Sequence, residues 1–103
     1  MTDVNKVLLT GILKDDVEVK GLGDSAISYF ILRVEFDYKD EGLFRVGNNQ
    51  FEIFGYGKKF MRQQDRLLKD VKVLVEGKLT HYTTDDYSKP IKTVVRAVNI
   101  YFL

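Results

Sequence analysis

The chain has no cysteine, no tryptophan, one proline and one histidine among 103 residues. Without cysteine it has neither disulfides nor thiolate metal ligands. A single histidine, His81, excludes a multi-histidine metal site and a paired-histidine acid–base site. No apolar run reaches the roughly 18 residues that a membrane-spanning helix needs. The opening Met1-Thr2-Asp3-Val4-Asn5 lacks the basic-then-apolar layout of a signal peptide. The expected location is therefore cytoplasmic, away from any membrane. No glycine-rich phosphate loop is present. Asp15-Asp16 and Asp85-Asp86 are adjacent pairs in loop-like stretches, so their members point different ways. His81 falls on a core phase, and no motif places a Ser nucleophile beside it. Catalysis is not expected, and no cofactor is implied.

What is present is an ordinary globular mixture, 45% hydrophobic and 30% charged. The length suits one domain over residues 1–103. The net charge of +1 conceals an asymmetry. Residues 1–54 carry 6 Lys/Arg against 10 Asp/Glu, and residues 55–103 carry 10 against 5. A neutral total can hide one basic face.

Most of the chain alternates with the period of two that a half-buried strand requires. In Asn5–Leu13, Val7, Leu9, Gly11 and Leu13 share a face, and Gly11 suggests a bend at a barrel corner. The polar stretch Lys14–Asp24 turns at Gly21 and Gly23, with room for a short strand at Val17 and Val19. Ala26–Tyr38 sets Phe30, Leu32, Val34 and Phe36 against Tyr29, Arg33, Glu35 and Asp37. Lys39–Asn49 reads as a long hairpin loop. Gln50–Tyr56 turns Phe51 and Ile53 inward and Gln50, Glu52 and Phe54 outward. Lys58–Lys69 reads as a short helix with a basic stripe of Lys58, Arg62 and Arg66, most simply a solvated face. Val71–Tyr82 sets Val73, Val75, Gly77 and Leu79 against Lys72, Glu76, Lys78, Thr80 and Tyr82. Thr83–Pro90 is a loop, and Ile91–Leu103 is the last strand. Phe30, Phe36, Phe51 and Phe60 are expected in the core.

Five strands with a helix between the third and fourth fit an all-β fold, the small five-stranded OB-fold barrel. Asn5-Lys6-Val7-Leu8-Leu9-Thr10-Gly11 resembles the first strand of bacterial and phage-type single-stranded DNA-binding proteins. Asp15-Asp16-Val17-Glu18-Val19, Ile53-Phe54-Gly55 and Val73-Leu74-Val75-Glu76-Gly77-Lys78-Leu79 resemble segments that follow in that family. The final strand, near Ala97-Val98-Asn99-Ile100, is also similar, so the likeness runs from about Asn5 to Leu103. It implies an OB barrel that binds single-stranded DNA as a homo-oligomer, a dimer or tetramer. Family members usually continue into an acidic tail that recruits replication and repair proteins. This sequence ends at Tyr101-Phe102-Leu103, which implies a short form without that tail. Family members stack bases on tryptophans, and here Tyr and Phe would have to serve.

Single-stranded DNA offers phosphates to Lys and Arg and flat base faces to aromatics. Phe54 heads the candidates, because it is an aromatic on the polar phase of its strand at the position where the family stacks a base. Tyr82 shares a phase with Lys78, and Tyr29 shares one with Arg33. Arg33 could instead pair with Glu35 or Glu52. Tyr38 lies near a family stacking position at the end of its strand. A second such position falls near Asn48, so Tyr56 would have to replace it. Lys39, Phe44 and Arg45 in the hairpin loop, and Tyr87 and Lys89 in the last loop, could close over a bound strand. The expected function is sequence-tolerant single-stranded DNA binding in replication, recombination or repair. The alternatives are a protein-interaction barrel of a primosome or mobile-element replication complex, and an RNA-binding barrel.

Overall fold

The computed structural model describes residues 2–83 and 91–103, with Thr83 as backbone only. The elements are β1 (Val7–Leu13), β2 (Glu18–Lys20), β3 (Ile27–Asp40), β4 (Leu43–Tyr56), α1 (Lys58–Met61), β5 (Lys72–Thr83) and β6 (Ile91–Phe102). β1 pairs with β5, β5 with β6, β6 with β4, β4 with β3, and β3 returns to β1. The five long strands therefore close into a barrel, and β2 adds an extra strand on β3. Only β4 and β6 run parallel, through Ile53–Val95 and Phe54–Arg96. This is the expected OB barrel, with the helix between β4 and β5.

Closure depends on β1 changing partners. Its residues through Ile12 pair with β5, while Ile12 and Leu13 pair with β3. Gly11 sits at that change. A Cβ there would lie 2.2 Å from the Arg33 carbonyl oxygen, so any side chain would force the two strands apart. The expected corner at Gly11 is thus a close backbone approach.

Leu13, Leu32, Ile53, Leu67, Val73, Val75 and Val95 form the centre of the core and are essentially inaccessible to water. Each contributes on the order of 1.5–3 kcal/mol by leaving water. Phe30 and Phe60 are buried with them, and Phe51 packs against the cluster half-buried. Phe60 plugs one end of the barrel by lying over Gly55, where a Cβ would fall 2.5 Å from its ring.

Four expectations are corrected. Lys39–Asn49 is not a long loop. β3 and β4 stay paired out to Asp40–Leu43, and Glu41-Gly42 alone forms the turn. Both turn residues have positive φ, 50° and 81°, as a two-residue hairpin turn of the right twist demands. The hairpin thus projects as an arm, and the molecule measures 51 × 34 × 34 Å. Phe36 is consequently not core. It lies on the arm, 41% exposed, with its ring over Gly47. The helix is shorter than Lys58–Lys69. It is regular only over Lys58–Met61, and then i→i+3 bonds from Gln63 and Gln64 tighten the chain into turns that deliver Leu67 to the core. Finally, Leu79 and His81 keep the inward phase of β5 but lie near the barrel rim, where none of the described residues covers them, and both are exposed.

Candidate nucleic-acid interface

Strand alternation leaves one set of β3, β4, β5 and β6 side chains outside the barrel, and pairing lines them up in rows. Tyr29 stands opposite Phe54, Phe54 opposite Arg96, and Arg96 opposite Lys78. Two aromatics and two cations therefore form one row across four strands. The Tyr29 and Phe54 rings are 4.9 Å apart, and Tyr82 meets the Phe54 ring edge-on at 5.6 Å. Three of the aromatics expected from phase are thus one cluster. Clefts of about 340 and 220 Å³ share Phe54 and Tyr82 as walls. Val94, only 4% exposed, lines the smaller cleft beneath them. Tyr56 lies on the same face, with the Arg96 guanidinium 4.7 Å from its ring centre.

Arg96 and Lys78 are both exposed and directly opposed across β5 and β6. Like charges in that position cost stability. The cation–π contact with Tyr56 offsets part of the cost on Arg96. An anion laid along the row would offset the rest.

A polar relay backs the aromatic cluster. The Tyr29 hydroxyl donates to Glu52 Oε1 at 2.9 Å, and Lys92 Nζ lies 2.6 Å from Glu52 Oε2. Burial, reinforced by the hydrogen bond to Glu52 and its negative charge, pushes the Tyr29 phenol up from its usual value near 10 to about 12, with Lys92 opposing. The hydrogen bond with Glu52 raises Lys92. Because the folded-state value of Tyr29 is the higher one, its contribution to stability is complete below pH 10 and is lost as the pH rises toward 12. One tyrosine's share of the ultraviolet tyrosinate signal should therefore appear only near pH 12. Glu52→Gln should lower it part of the way, because burial, the larger cause, remains; a titration in which that variant left the late step wholly unmoved would contradict the relay.

The other expected residues fall elsewhere. Lys39, Phe44 and Arg45 belong to the paired arm and not to a loop. Lys39 and Phe44 oppose each other on the face continuous with Tyr29 and Phe54, with the ammonium 5.8 Å from the ring centre. Tyr38 and Arg45 oppose each other on the reverse face. Tyr38 packs on Phe36 there at 5.9 Å, and Arg45 is 3.4 Å from Asp40, so neither joins the cluster. Arg33 shares the Tyr29 phase but lies four residues farther along β3, and Glu52 is committed to Tyr29 and Lys92. Tyr87 and Lys89 lie outside the described residues. The basic stripe does not form: Arg66 covers the Phe102 ring at 3.8 Å, and Lys58 lies 4.0 Å from Asp24.

Sequence reasoning missed Arg96, Lys92 and Val94. Lys92, Val94 and Arg96 alternate on one phase of the last strand, a signal that was available but is masked by the surrounding Val and Ile.

A family model described as the single-strand binding protein family matches residues 4–103. Curated protein sequences returned no match. Among solved structures, a deletion mutant of the single-stranded DNA binding protein from Thermus aquaticus is similar at 26% identity and TM-score 0.84. The likeness covers 97% of this chain and 50% of that one, so the chain spans about half the length of that relative. The Plasmodium falciparum SSB in complex with ssDNA has a TM-score of 0.85 at 21% identity, covering 100% and 97% of the two chains. The small single-stranded DNA-binding protein from Streptomyces coelicolor has a TM-score of 0.74 at 20% identity, covering 100% and 96%. These last two bear on the fold alone.

Proposed function

The chain belongs to the single-strand binding protein family, and from that premise we propose that its outer groove holds single-stranded DNA without reading sequence. Bases stack on Phe54, Tyr82, Tyr29 and Tyr56, and Arg96, Lys78 and Lys92 take phosphates. The observation that carries this reading is the row across the sheet in which two aromatic rings, Tyr29 and Phe54, continue into two cations, Arg96 and Lys78, that have no acidic partner among the described residues. Every base has a face to stack, so such a surface is tolerant of sequence, whereas phosphate contacts make it sensitive to salt. Lys39 and Phe44 extend the same face along the arm. The natural setting is the protection of exposed strands in replication, recombination or repair, by copies of the chain paired into a homo-oligomer.

The test is fluorescence anisotropy with labelled poly-dT and a duplex of equal length, across a range of salt. The single strand should bind and the duplex should not. About three phosphate contacts give a log–log salt slope of roughly −2. Replacing Lys78 and Arg96 together by Gln should reduce that slope by about 1.4. No binding of the single strand at low salt would overturn the reading and leave a protein-interaction barrel. Preference for RNA in competition would make it an RNA-binding barrel.

A further inference from the structure

Away from the aromatic groove, where β1 passes from β5 to β3, the barrel wall carries a second recess of about 250 Å³. It is lined by Thr10, Gly11, Ile12, Arg33, Glu35 and Lys72. Ile12 pairs with Arg33 on one side and with Lys72 on the other, so the two cations flank one apolar residue in a single row. Arg33 is half-buried, and its Nε is shielded from water without an acceptor among the described residues. A polar group left in that state costs about 1–3 kcal/mol. Glu35 is exposed at the rim and forms no ion pair with either cation among the described residues, which leaves the recess a net positive charge.

We propose that this recess is a second, phosphate-selective site, at which Arg33 and Lys72, with the Thr10 hydroxyl as a further donor, hold a phosphodiester of a strand already seated in the groove. The inference rests on the proposed function and deepens it. No aromatic among the described residues lines the recess, so it grips backbone and not bases. Tyr29 and Arg33 share one face of β3 and lie about 13 Å apart at strand spacing. A strand leaving the Tyr29–Phe54 platform along β3 reaches Arg33 within a few nucleotides. The site thus gives the bound strand a direction: it turns from crossing the sheet to following β3 and then wraps toward β1.

Two oligomer lengths separate the two sites. An oligo-dT of about 8 nucleotides fits within the groove, and one of about 16 spans both sites. The double variant Arg33→Gln/Lys72→Gln should bind the short oligomer as the parent does. On the long oligomer its salt slope should fall by about 1.4, with affinity reduced several-fold at low salt. Lys72→Glu, a change at an exposed position that spares the fold, should weaken the long complex alone. Unchanged slopes on the long oligomer, with the short one still bound, overturn the second site and leave the groove intact. A parent chain that binds neither oligomer overturns both. A double variant that alters sedimentation of the free protein but not DNA binding would make the recess a contact between copies, and would also overturn the proposal.

Discussion

Phe54→Ala is expected to weaken single-stranded DNA binding by about 1–3 kcal/mol, or roughly 5- to 150-fold. Phe54 is the ring that the others share, 4.9 Å from Tyr29 and 5.6 Å from Tyr82. Its removal takes away one stacking face and the support of two more. The loss should therefore exceed that of Tyr82→Ala, and the two should not add, because the second ring is already displaced in the first variant. The salt slope should stay where it was, since no charge has changed. That separates a stacking defect from a phosphate defect, for which slope and affinity move together. Phe54→Tyr should keep most of the affinity. Thermal stability should fall little, because the ring lies on the outer face and contributes chiefly its aromatic pairings, about 0.5–1.5 kcal/mol. Anisotropy titrations at two salt concentrations, with a melting curve on each variant, check all of this. Unaltered affinity for Phe54→Ala would remove the platform from the binding surface.

Phase is the most informative feature of the sequence, and its limits are physical. Alternation placed Tyr29, Phe54, Tyr82 and Lys78 on the outer face, and pairing then made them neighbours. Alternation reports which way a side chain points but not whether anything lies there. Phe36 keeps the phase of Phe30 and Leu32, yet β3 has left the barrel by then, and the ring lies over Gly47 and beside Tyr38 and stays exposed. Leu79 likewise keeps the phase of Val75 but has reached the rim. By composition the arm reads as a loop, because Asp40, Glu41, Gly42, Gly47 and Asn48 all favour turns. Only Glu41-Gly42 turns, and Gly47 instead makes room for a cross-strand ring. Arg96 and Lys92 were hidden for a different reason. A strand rich in Val and Ile reads as wholly buried until its two phases are separated, and the polar phase then contains both cations and Val94. The Arg33–Lys72 recess depends on a pairing between β1 and β3 that no local pattern encodes.

Phe60→Ala should be the most damaging single substitution for stability, at about 3–5 kcal/mol. Phe60 is 4% exposed, closes one end of the core and rests on Gly55. A one-turn helix cannot shift to fill the space, because its register is held by Arg62 N–H donating to the Lys58 carbonyl at 2.9 Å and by Leu67 behind it. For a domain of about 100 residues that loss corresponds to a melting temperature lower by on the order of 15–30 °C. Gly55→Ala attacks the same contact from the other side, since its Cβ would fall 2.5 Å from the Phe60 ring. Gly55→Ala/Phe60→Leu should therefore be more stable than the sum of the two single changes predicts. A strictly additive cycle would show that the ring and the glycine do not share one space. Phe54 and Gly55 are adjacent in β4 and serve opposite faces. Phe54→Ala should cost affinity and spare the melting temperature. Phe60→Ala, assayed well below its own transition, should do the reverse and retain both affinity and salt slope. One strand would then carry the binding surface on one face and the stability of the barrel on the other, with the two properties separable at neighbouring positions.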